Sequence, residues 1–72
     1  MLTLVERTFG SKTVITVSGD VRATVTIKHT TLGAFFWSAF ADDGSRRVEL
    51  GTAPTFEQAE AQALAVVTTW QT

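Results

Sequence analysis

The sequence predicts an α+β domain, an antiparallel meander of about five strands with one C-terminal α-helix packed on one face. Three observations predict it. Two β-branched runs, TVITVS and VRATVTIK, fill most of residues 13–28, and the second alternates apolar and polar side chains with a period of two. Residue pairs that close hairpins, Gly10-Ser11, Gly19-Asp20 and Asp43-Gly44, punctuate the runs. Beyond Pro54 the apolar period becomes that of a helix.

The first strand is expected over residues 2–9, and Gly10 at the first turn position supplies the positive φ that a two-residue hairpin needs. That turn sets Leu4 opposite Val17 and Glu6 opposite Ile15, so Leu2, Leu4, Ile15 and Val17 belong to one side. Residues 13–18 form the second strand and residues 21–28 the third, with Val21, Ala23, Val25 and Ile27 on the side opposite Arg22, Thr24, Thr26 and Lys28. A strict two-residue loop at Gly19-Asp20 would set Val17 opposite Arg22 and mix the sides. A three-residue loop or a bulge restores the parity and is the expected connection; the alternative turns Val14 and Thr16 toward the core.

After a polar connection over residues 29–33, the stretch AFFWSAFA at residues 34–41 gathers four of the seven aromatic residues. Phe35, Trp37 and Ala39 share one side, Phe36, Ser38 and Phe40 the other. A strand apolar on both sides is expected in the middle of a sheet or covered twice. A two-residue turn at Asp43-Gly44 pairs Trp37 with Leu50, Ala39 with Val48 and Phe40 with Arg47, making residues 46–50 the fifth strand. The helix is expected over residues 55–71. Thr55 and Gln58 have the spacing of a capping box, and Phe56, Ala59, Ala63, Val66, Val67 and Trp70 make a stripe about 100° wide. Ala61 and Ala65, with Gln58, Gln62 and Thr69, fall on its outer side.

Seventy-two residues make one domain, 1–72, near the size below which a core needs staples, since such a chain buries only about 60% of its unfolded surface. Without cysteine there is neither a disulfide framework nor a thiolate metal site. A formal charge of −1 argues against both a generally basic nucleic-acid binder and a polyanionic mimic. No apolar run approaches the roughly 20 residues of a membrane span, and Glu6 sits where a signal peptide would be apolar. The chain reads as soluble, cytoplasmic and without a membrane partner.

One helix covers one face of five strands, which leaves the other open. The residues assigned to that open face are Val5, Arg7, Phe9, Val14, Thr16, Arg22, Thr24, Thr26, Lys28, Phe36, Ser38, Phe40, Arg47 and Glu49. Phe36, Phe40, Phe9, Arg47, Arg22 and Arg7 are its candidate contact residues, phenylalanines as apolar anchors and arginines as a cationic rim. Three occupants fit such a face: a second copy of the chain, an unrelated protein partner, or a single-stranded nucleic acid whose bases stack on the rings. Catalysis has no comparable support. His29 stands alone in a polar connection, Asp42 and Asp43 are explained by the turn beside Gly44, and phosphate-loop, nucleophile-elbow and zinc-ligand spacings are absent. The expectation is a non-enzymatic protein with no cofactor and no metal.

The path of five strands and a closing helix, ending in the segment GTAPTFEQA at residues 51–59, resembles small accessory proteins of phages and mobile elements, including anti-CRISPR inhibitors. The resemblance lies in size and architecture and includes no diagnostic motif. It implies a protein that blocks a larger host machine by occupying a binding surface, and it assigns no functional residue. The strand and helix order also resembles single-strand-binding sheets that dimerise through the helix.

Overall fold

The computed structural model describes residues 3–19, 22–30, 33–42, 44 and 46–70. Five strands, β1 (Thr3–Phe9), β2 (Lys12–Ser18), β3 (Ala23–His29), β4 (Phe35–Ala41) and β5 (Val48–Ala53), form one antiparallel sheet in the order β1-β2-β3-β4-β5, followed by α1 (Phe56–Thr69). The architecture is the α+β meander that the residue periods predict. Gly10 has φ +61°, and Phe9 pairs with Lys12 around the two-residue turn. Val17 pairs with Ala23, the parity of the longer connection. Asp20 and Val21 of that connection, like Leu2, Asp43 and Gln71, lie outside the described residues.

The register places Ile15 and Val17 of β2, Ala23, Val25 and Ile27 of β3, and Trp37 and Ala39 of β4 on one side, where all are buried. The helix closes that side. Thr55 caps its first turn by accepting the Gln58 N–H at 3.2 Å, Trp70 is its C-cap, and Ala59, Ala63 and Val67 are buried against the sheet. Ala53 completes the cluster, with Phe35, Phe56, Leu64, Val66 and Trp70 packed at its margin. Around Trp37 the residues under α1 are small, with Ala39, Gly51 and Ala53 on the sheet facing a helix that buries two alanines. Small residues on both surfaces bring the helix backbone close to the strands.

The fifth strand departs from the expected register and bounds. It runs from Val48 to Ala53, and Trp37 pairs with Gly51, Ala39 with Glu49 and Phe40 with Val48. The Ala41 N–H reaches the Arg47 carbonyl at 2.9 Å, so residues 42–46 make a link of odd length in place of a two-residue turn, with positive φ at Gly44 and Arg46. The cause lies at Gly51. A Cβ there would stand 2.6 Å from Cε2, Cζ2 and Nε1 of Trp37. The indole occupies the place of the missing side chain, which no other residue of this strand leaves empty. The shift by one residue turns every side chain of β5 to the opposite face. Val48 and Leu50, expected in the core, are on the open side.

Two smaller corrections follow from the same packing. Gln62, expected on the outer side of the helix, accepts the indole N–H of Trp37 at 2.9 Å, so the one polar atom of that buried ring is satisfied. His29 belongs to the end of β3 rather than to a loop, and its ring stacks on Phe35 with centroids 4.7 Å apart, while Phe35 meets Phe56 edge-on at 6.1 Å. Among the described residues no helix is long and apolar enough to cross a membrane.

Candidate binding face

The uncovered side of the sheet is built from three rows of side chains that the ladder aligns across all five strands. Val5, Thr16, Thr24, Phe40 and Val48 make one row; Arg7, Val14, Thr26, Ser38 and Leu50 the next; Phe9, Lys12, Lys28, Phe36 and Thr52 the third. Large apolar side chains remain in solvent here, from Phe36 at 38% exposure to Leu50 at 60%, with Val5, Phe9, Phe40 and Val48 between them. Phe36, Phe40, Val48 and Leu50 lie together on β4 and β5. Val5, Phe9 and Val14 with Arg7 and Thr16 line a shallow hollow on β1 and β2. Thr16, Thr24, Thr26 and Ser38, in the middle of the first two rows, separate the two apolar areas.

Of the expected contact residues, Phe9, Phe36, Phe40 and Arg7 are on this face, and Arg22, one residue before β3, continues its alternation with an exposed side chain. Arg47 is not among them. The changed register of β5 carries it to the helix side, where its Nη1 donates to the Trp70 carbonyl oxygen at 3.1 Å and so caps the last turn of α1. Glu49 moves the same way, beside Ala39. Val48 and Leu50 take their places, and Lys12 joins as the neighbour of Lys28. The strand pattern Val-Glu-Leu alternates equally well either way up. Only the glycine two residues after Glu49, opposite a tryptophan, could have marked which way it faces.

The exchange alters the character of the face. It loses a carboxylate and gains two aliphatic side chains. Arg7, Lys12, Arg22 and Lys28 stand against Asp42 at its end, whose Oδ2 accepts the Thr24 hydroxyl at 2.8 Å. Glu6 and Glu49 face the helix side of the sheet, and Glu57 and Glu60 are carried by the helix. A nearly neutral chain is thus divided into a cationic face and an acidic one. Among the described residues no group of three or more His, Cys, Asp or Glu could hold a metal ion. No protein-family model matches the chain, and no curated protein or solved structure does.

Proposed function

We propose that the protein is a non-enzymatic binding module whose open face docks on an acidic surface of a protein partner. The observation that supports it is the exposed group of Phe36, Phe40, Val48 and Leu50, flanked by cationic side chains. Apolar side chains at the centre of a patch supply buried area, and charges around it supply orientation and a fast approach. A phage-type inhibitor of a host machine, such as an anti-CRISPR protein, is the finer form of this reading, and a cytoplasmic site of action goes with it. Phe36→Ser combined with Phe40→Ser tests it. Both side chains are on the solvent side of the sheet, so the double variant is expected to keep the Trp37 near-ultraviolet signal of the native fold and lose the partners that the wild-type chain retains on a column. Equal retention by the two chains would overturn the assignment.

A single-stranded nucleic acid is the second reading, and the row Phe9-Lys12-Lys28-Phe36 favours it. Two rings flank two ammonium groups across three strand spacings, about 14 Å, which suits bases on the rings and phosphates between them. Titration with a labelled oligonucleotide separates the readings. Phosphate contacts predict an affinity that falls steeply as salt rises, whereas binding that ignores salt, or none at low salt, excludes this one.

A further inference from the structure

We infer that β5 is the edge through which two copies of this chain join, antiparallel about a two-fold axis at Leu50, to form one ten-stranded sheet. The two ends of the sheet each present an unpaired strand, β1 and β5. Backbone hydrogen bonding alternates along an antiparallel strand, so the groups not used toward one neighbour point toward the other. The Ala41 N–H bonds the Arg47 carbonyl, which assigns Glu49, Gly51 and Ala53 to the β4 ladder. The amides and carbonyls of Val48, Leu50 and Thr52 therefore point outward. With Leu50 opposite its own counterpart, Val48 meets Thr52 and each outward group finds a partner.

The side chains suit that register. Glu49, the one charged residue of the strand, falls opposite Gly51 of the second copy, and Leu50, 60% exposed in the single chain, packs on itself. The same exercise on β1 fails. Its outward groups belong to Leu4, Glu6 and Thr8, because Phe9 and Lys12 close the hairpin as a bonded pair in step with the His29 N–H to Ser11 carbonyl bond of the next ladder. The full-length register of β1 on itself sets Glu6 against Glu6, a like-charge pair that guards an edge. Face-to-face pairing through the open side is opposed in the same way by Arg7, Lys12, Arg22 and Lys28. The helix does not obstruct the β5 junction. It lies over β3, β4 and β5, centred on β4, so its counterpart would run about 14 Å away, outside the 8–10 Å of packed helices. The joined edges bring Val48 and Leu50 of the two copies side by side on the open face and leave Phe36 and Phe40 clear of the seam, so the junction shares two residues with the face proposed above but does not depend on its partner.

Amide exchange of the labelled full chain, measured across protein concentration beside light scattering, tests it. The expected result is a mass rising toward twice 7.8 kDa, with the amides of Val48, Leu50 and Thr52 slowing as it rises and those of Leu4, Glu6 and Thr8 unchanged. Leu50→Pro removes an amide that the β4 ladder does not use and should give a monomer. Leu50→Lys should do the same by facing like charges, and mixing it with Leu50→Glu should restore a dimer. A monomer at millimolar concentration, slowing at Leu4, Glu6 and Thr8 instead, or a Leu50→Lys chain that dimerises as strongly as the wild type would each overturn it.

Discussion

Leu4 and Ala53 lie on the same side of the sheet, at its opposite edges, yet half of Leu4 is in solvent and Ala53 is 4% exposed. The helix makes the difference. Its 14 residues span about 21 Å, and it lies over β3, β4 and β5, so β2 is covered by side chains alone and β1 by nothing. Every residue of β1 is exposed on both faces. One edge of this sheet is therefore held by packing and the other by its hydrogen-bond ladder, which in isolation is a marginal arrangement. The comparison teaches that a strand can be specified in sequence, in place and in register without contributing to the core.

Three substitutions break or sharpen that contrast. Trp37→Ala should cost the most, about 3–5 kcal/mol in chemical denaturation, because it empties the space between Gly51 and Gln62 that the ring fills. A loss below 1 kcal/mol would show, roughly, that the helix-covered end is no firmer than the bare one. Gly51→Ala should cost about 1–3 kcal/mol, since the added methyl must displace the ring. Alanine in a strand is otherwise better than glycine, so a gain in stability would contradict the close approach. Leu4→Ala, at the uncovered edge, should change stability by no more than about 0.5 kcal/mol; a loss comparable with that at Trp37 would mean that β1 is covered after all.

The same division explains what the sequence could say. The five strands and the helix were legible because their signals are local: the alternation of VRATVTIK, the glycine of the first turn, the spacing of Thr55 and Gln58. The face of β5 was not, because it depends on one contact between residues 37 and 51 and on how closely the alanines of α1 approach the sheet. Phe9, Phe36, Phe40, Arg7 and Arg22 were legible as open-face residues for the first reason. Arg47 was misplaced, and Val48 and Leu50 missed, for the second. His29 read as a loop residue because its stacking on Phe35 connects two strands and leaves no trace in the spacing of either.

The contact between Trp37 and Gly51 sets which way the last strand faces, and through it the chemistry of an entire surface. A larger side chain at residue 51 would compete with the indole for its place and favour the opposite facing, with Val48 and Leu50 beneath the helix and Glu49 out among the phenylalanines. Chains descended from a common ancestor with this one should therefore tolerate changes of length over residues 42–46 and keep the glycine opposite the tryptophan. A chain without that glycine would have nearly the same composition and another face to show its neighbours.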